Sequence, residues 1–220
     1  MQPLRRLLCT TALLLLSGAA LASPAAPRNG VEYQTLPDVQ PTDGGRKIEV
    51  TEFFAYYCPH CYALEPQLAQ WVKKQGDNIV FRRVHVPRGE QVAAQQRLFY
   101  TLESLGLLEQ YHAKAFAAMH VEHLPLGQDE QVFDWASRAG IDRARFIDTY
   151  RSFGVQAKVR RAQSMMENYR ITHWPMIAVD GRFLTSPGML HEATRGEGDS
   201  LQGTLQVMDG LVARAKADRK

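Results

Sequence analysis

Cysteine is scarce in this chain: three in 220 residues, at positions 9, 58 and 61. So few cannot build the several bridges that brace small exported domains. Structural zinc needs four ligands, and neither a second close pair nor a nearby histidine pair at finger spacing supplies them. Long apolar runs are scarce too. The longest, from Leu7 to about Gly18, falls short of the ~20 residues that span a bilayer. Net charge is small, with 26 basic against 23 acidic residues, and no stretch interleaves basic with aromatic side chains, so nucleic acid is not an expected partner. Internal repeats, low-complexity tracts and an obvious dimerisation segment are missing as well. A monomer with no cofactor and no resident metal is the expectation.

What is present begins with a leader. Arg5 and Arg6 precede the apolar run, and Ala20-Leu21-Ala22 offers small residues where a signal peptidase reads them, so residues 1–22 read as a signal peptide cleaved after Ala22. Cys9 leaves with it. The remaining chain is long enough for one substantial core or a domain carrying an insertion. Without Arg5 and Arg6 its charges nearly balance, 24 basic against 23 acidic. Export puts it where disulfides persist, and a single close cysteine pair there serves something other than bracing.

Residues 31–36 read as a possible first strand, 37–45 as a loop, and 48–54 as a buried strand rich in β-branched and aromatic residues. Proline at the first helical position, with Leu64, Leu68, Trp71 and Val72 on one face, predicts a helix over 59–74. Residues 79–86 return as a strand. From about 91 to 170 apolar residues fall at helical spacing with almost no strand signal. Leu98 and Leu102, Tyr111 and Phe116, and Phe133 and Trp135 mark three helices; Asp142 reads as the N-cap of a fourth over 143–153, and Val159, Ala162 and Met166 lie on a fifth. Residues 176–179, Asp180-Gly181 and 182–184 form a hairpin signature, because Asp-Gly supplies the positive φ angles of a two-residue turn. A final helix starts at about Ser200. The class is α/β, with 23–90 and 171–220 as one discontinuous domain and 91–170 as a helical insertion.

Cys58-Pro59-His60-Cys61 carries the chemistry. At the start of a helix the first sulfur meets unpaired backbone N–H groups and the positive end of the helix dipole, which favour thiolate. His60 pushes the same way. Cys58 is therefore the expected nucleophile, and Cys61, one turn further in, the buried resolving thiol. Stabilising the thiolate favours the dithiol over the disulfide, and a disulfide whose reduced form is favoured is a strong oxidant. The protein is expected to give its disulfide away.

The segment Glu52-Phe53-Phe54-Ala55-Tyr56-Tyr57-Cys58-Pro59-His60-Cys61-Tyr62 resembles the active-site segment of the DsbA family of periplasmic thiol:disulfide oxidoreductases, of which Cys-Pro-His-Cys is the characteristic motif. Residues 31–36, 83–86, 179–183 and the loop-like Pro187-Gly188-Met189 extend the resemblance over most of the mature chain. It implies a thioredoxin fold with an inserted helical domain and a cis bond at Pro175 facing the cysteines, beside which an extended client peptide pairs. It also implies reduced exported proteins as clients in the periplasm, and a quinone-linked membrane partner resembling DsbB that restores the disulfide. Glu52 and Arg83 correspond to the family's acid–lysine pair beneath the buried cysteine; arginine keeps its charge, so proton delivery falls to Glu52. Before Pro175 this chain has His173-Trp174 where the family commonly has Gly-Val. His173, Trp174, Tyr57 and Met176 are the expected client contacts, with packing of the Trp174 ring on the helical insertion as the competing reading.

A different class of function, a periplasmic Cu(I) carrier using Cys58, Cys61 and His60, also suits soft thiolates. His112, His120, His123 and His191 read as surface residues, His85 as structural, and Tyr56 and Phe99 as core.

Overall fold

The computed structural model describes residues 27–89 and 92–219; the expected leader, with Cys9, lies outside them. The strand read at 48–54 is β2 (Ile48–Phe54), buried along its whole length, Glu49 and Glu52 included, as a central strand rich in β-branched and aromatic residues and covered on both faces is. It pairs in parallel with β3 (Ile79–His85) and antiparallel with β4 (Met176–Val179). β5 (Phe183–Thr185) and the short β1 (Gln34–Thr35) complete a sheet of order β1-β5-β4-β2-β3. The β4–β5 turn is the expected one: Asp180 and Gly181 have φ of 58° and 63°. A Cβ on Gly181 would stand 2.1 Å from the Gln40 carbonyl oxygen, so only glycine fits there.

Between β2 and β3 lies α1 (Pro59–Gln75). Its Leu64, Leu68 and Trp71 pack with α8 (Ser200–Asp218) against Ile48, Val50 and Ile177 of the sheet. Trp71 Nε1 donates to Asp209 of α8 at 2.9 Å, tying the two helices together. Five helices are interposed between β3 and β4: α2 (Ala93–Ser104), α3 (Leu108–His120), α4 (Asp129–Arg138), α5 (Arg143–Tyr150) and α6 (Phe153–Asn168). Their apolar faces form a second, larger core that takes in Phe53, Phe54, Ala178 and both cysteines. The cysteine pair thus sits where the helices meet the end of the sheet, in the α/β thioredoxin fold anticipated above.

Three local readings change. Pairing at 31–36 shrinks to Gln34–Thr35 because residues 28–33 close a turn, with Glu32 N–H donating to Arg28 O at 3.2 Å and the Glu32 carboxylate accepting the Arg28 N–H at 2.8 Å. The helix capped by Asp142, whose carboxylate takes the Arg145 N–H at 2.7 Å, ends at Tyr150, and Ser152 caps a new one. Pro187-Gly188-Met189 is not a loop but the first turn of α7 (Pro187–Ala193), with Ser186 as N-cap and proline in the position that lacks a helical N–H partner anyway.

Candidate active site

β2 delivers the chain through Ala55-Tyr56-Tyr57 to Cys58, the N-cap of α1. That position usually carries a Ser, Thr or Asp oxygen that takes a first-turn N–H. Here sulfur does so: the Cys61 N–H donates to Cys58 Sγ at 3.4 Å. The Cys61 thiol is the largest influence that lowers Cys58, aided by the Cys61 and His60 backbone N–H groups and the His60 charge; burial opposes them, and the pKa falls from 9.0 to about 6. Burial first, then Cys58 and Glu52, push the Cys61 thiol strongly the other way. Both thiols are free and both are buried, whereas Pro59 and His60 between them are exposed.

Across from the pair the Trp174–Pro175 peptide is cis, and the Trp174 carbonyl oxygen lies 3.6 Å from Cys58 Sγ. The half-buried indole meets Tyr57 edge-on, with ring centroids 6.3 Å apart, and the Arg88 guanidinium stands 5.8 Å from its centroid. Burial raises the Tyr57 phenol against the pull of nearby Arg88, yet among the described residues Tyr57 Oη has no hydrogen-bond partner. His173 is exposed, its Nε2 3.0 Å from Ser186 Oγ. With Met176, which is buried, it lines a cavity of about 570 Å³ that also involves Leu36, Thr172 and Met189. Cys58, Cys61, Tyr57, Trp174 and Pro175 therefore converge, while His173 and Met176 flank them along this cavity.

Glu52 and Arg83 are register partners on β2 and β3. Arg83 Nε donates to Glu52 Oε2 at 3.1 Å, and an Arg83 terminal nitrogen bridges both oxygens of Glu65 at 2.7 and 3.0 Å. Burial raises Glu52 to about 8 despite Arg83, and among the described residues its Oε1 has no hydrogen-bond partner. Burial also pushes Glu65 up, but His112 and Arg83 together bring it below its ordinary 4.5. The sequence reading missed Glu65. Its signal was position: one turn after Cys61 and between Leu64 and Leu68, it faces inward.

Two histidines read as surface residues belong to this interior. His112, Phe116 and His120, four residues apart on α3, form a stripe that packs on α1. His112 is buried, with Nδ1 3.0 Å from Tyr56 Oη and Nε2 3.4 Å from Glu65 Oε2. His120 donates through Nε2 to the Tyr56 carbonyl at 2.7 Å and stacks on Tyr62 with centroids 4.7 Å apart. His85 is structural, as expected. Burial lowers it to about 3, so it is neutral and its Nε2 accepts the Tyr56 N–H at 3.1 Å. His123 and His191 are exposed, and Tyr56 and Phe99 are core.

An outer sulfur that ionises easily, with a protonated partner one helical turn inside, is equipped to exchange electron pairs between dithiols and disulfides. The class is that of thioredoxin-fold thiol:disulfide oxidoreductases. The DSBA-like thioredoxin domain family matches residues 49–197. A Burkholderia cepacia relative named thiol:disulfide interchange protein DsbA is 36% identical over 220 residues, covering 99% of this chain and all of its own length. A Pseudomonas aeruginosa protein of the same name is 31% identical over 218 residues, 99% of this chain and 100% of that one. The crystal structure of Pseudomonas aeruginosa DsbA superposes with a TM-score of 0.79 at 32% identity, over 86% of this chain and 95% of that one. The chain belongs to the DsbA family.

Proposed function

We propose that this protein acts after export, in the periplasm, as an oxidase that donates its Cys58–Cys61 disulfide to reduced exported proteins. A client thiolate attacks Cys58 Sγ, a mixed disulfide forms, and Cys61 leaves and takes up a proton. The client's second thiolate then attacks the client sulfur of the mixed disulfide, and Cys58 leaves as thiolate. The client loses two electrons and its disulfide forms; the cysteine pair is reduced. Reoxidation falls to a quinone-linked membrane partner resembling DsbB.

The observation that carries this reading is the capped sulfur of Cys58, because a leaving group that is stable as thiolate drives the second step toward the client. Glu52 is the proton donor to Cys61: it is buried, holds its proton to about pH 8, and has one oxygen without a hydrogen-bond partner among the described residues. Arg83 stays charged and cannot take that role. The Trp174 carbonyl, beside Pro175, offers the client backbone an acceptor next to the reacting sulfur. His173, Trp174, Tyr57 and Met176 are the client contacts. Residues 91–170 are best read as an insertion in a unit formed by 23–90 and 171–220, since the sheet, α1 and α8 hold a core of their own.

Titrating the cysteine pair against glutathione is the test. An oxidising potential well above the glutathione poise is expected, and Cys61→Ser should accumulate mixed disulfides where Cys58→Ser forms none. A potential as reducing as that of thioredoxin overturns the direction of transfer, and equal trapping by both variants overturns the roles of the two sulfurs.

A further inference from the structure

The buried polar array holds one cation and two carboxyl groups. Arg83 faces both Glu52 and Glu65 in the interior, and two anions around one cation out of water are costly enough that one carboxyl keeps a proton. Which one does so is a matter of hydrogen bonding. Among the described residues Glu65 receives two contacts from Arg83, whereas Glu52 receives only the Nε contact and has one oxygen without a hydrogen-bond partner.

The third donor is fixed by Tyr56. Among the described residues the Tyr56 hydroxyl has His112 Nδ1 as its side-chain partner, at 3.0 Å. A buried hydroxyl donates where it can, so Nδ1 accepts and the ring proton sits on Nε2. Nε2 lies 3.4 Å from Glu65 Oε2, near enough for its N–H dipole to act on the carboxylate though not aligned as a hydrogen bond, and among the described residues it has no hydrogen-bond partner.

We infer that His112 is a positioning residue: by keeping the Nε2–H dipole beside Glu65 it helps Arg83 hold that carboxylate ionised, and so leaves the proton of the array on Glu52. The other titratable groups around it are His85 and Arg83 from β3, Glu65 from α1, Tyr56 from the segment after β2, and His120 from its own helix. Arg83 keeps its charge and His85 is held neutral by burial, so neither takes the proton. The inference rests on the reading of Glu52 as proton donor to Cys61.

The test is carboxyl ¹³C NMR of glutamate-labelled protein, with the two signals assigned by their loss in Glu52→Gln and Glu65→Gln. Near neutral pH the Glu52 signal should lie at the acid position and the Glu65 signal at the carboxylate position. His112→Phe should redistribute the proton toward Glu65 by about threefold, the low end of what one N–H group beside an acceptor is worth. His112→Gln, which keeps an N–H donor and an acceptor, should restore the wild-type pattern. Tyr56→Phe loses one hydroxyl only and frees the His112 tautomer; it should give a partial shift in the same direction even if His112→Phe does not fold. Unchanged signals in His112→Phe or in Tyr56→Phe, or equal shifts in the Phe and Gln variants of His112, overturn the inference while leaving the role of Glu52 standing. An ionised Glu52 in the wild type overturns that role and this inference with it.

Discussion

Cys58 Sγ accepts the backbone N–H of Cys61 at 3.4 Å, so the reactive sulfur is itself the cap of the helix that holds its partner. Oxidation draws both sulfurs into one bond and costs the cap its negative charge. In the reduced protein iodoacetamide should therefore label Cys58 with a midpoint near pH 6 and spare Cys61, which is buried and held protonated. Labelling that rises only near pH 9, or that reaches both residues alike, contradicts this account.

The same charge makes the redox states differ in stability, with a sign that follows from linkage. Cys58 has a folded value of about 6, below its ordinary 9.0, so the reduced protein gains stability as pH climbs from about 6. The gain is complete above the unfolded value and is lost as pH falls through the folded one. Glu52 has the opposite sign: its folded value is raised to about 8, so its contribution is lost as pH rises through that value. His85 destabilises the fold as pH falls below its ordinary 6.5. Both groups are present in both redox states. Cys61, a free thiol only in the reduced form and held protonated by burial, costs that form stability only as pH nears its ordinary 9.0. Below about pH 8 the difference between the two unfolding temperatures therefore reports Cys58. Thermal melts of the two forms from pH 5 to 8 should show the reduced form gaining on the oxidised form above pH 6. A difference that is flat with pH would mean the thiol is not ionised.

Much of this architecture was legible from local pattern. Residues rich in β-branched and aromatic side chains marked β2, Pro59 and the Leu64–Leu68–Trp71 face marked α1, and Asp180-Gly181 marked the hairpin, because turn chemistry and periodicity act within a few residues. Glu65, His112 and His120 were illegible for the opposite reason. Their partners lie on other elements: Glu65 meets Arg83 of β3, and both histidines reach Tyr56 only because α3 packs on α1. Each carried a weak signal. The inward position of Glu65 and the spacing of four between His112, Phe116 and His120 place polar groups on apolar faces, which is informative only when something inside satisfies them. The start of α7 was likewise readable from Ser186-Pro187, a capping residue followed by proline.

Trp174 presents its backbone carbonyl to Cys58 and its ring to Tyr57 and Arg88. Trp174→Val keeps the carbonyl and removes the ring. Half-buried edge-on and cation contacts of this kind are worth about 1 kcal/mol together, and a stability loss of that order is expected. If the ring faces the client path, the ratio of peptide to glutathione oxidation rates should change with the residue beside the peptide cysteine. A fall in stability with an unchanged ratio would assign the ring to packing.

Arg83 bridges Glu52 and Glu65 and is the one cation between them among the described residues, and its removal has a pH signature. Arg83→Met leaves two buried carboxyl groups without a counter-charge, and breaking a buried ion pair in this way costs about 3–5 kcal/mol. The loss is not uniform in pH. Without Arg83 both folded carboxyl values rise above the unfolded ones, so the variant is penalised wherever the unfolded chain would ionise them. Stability is then highest at low pH and falls as pH rises through the folded values. Denaturant unfolding should therefore find Arg83→Met near the wild type at pH 4 and far below it at pH 8. Arg83→Lys restores the charge but cannot reach both carboxylates with a planar fork, so it should recover part of the deficit. A loss of the same size at both pH values would mean that Arg83 supports the fold through its packing on Phe81, whose ring centroid lies 4.8 Å from the guanidinium carbon, and not through its charge.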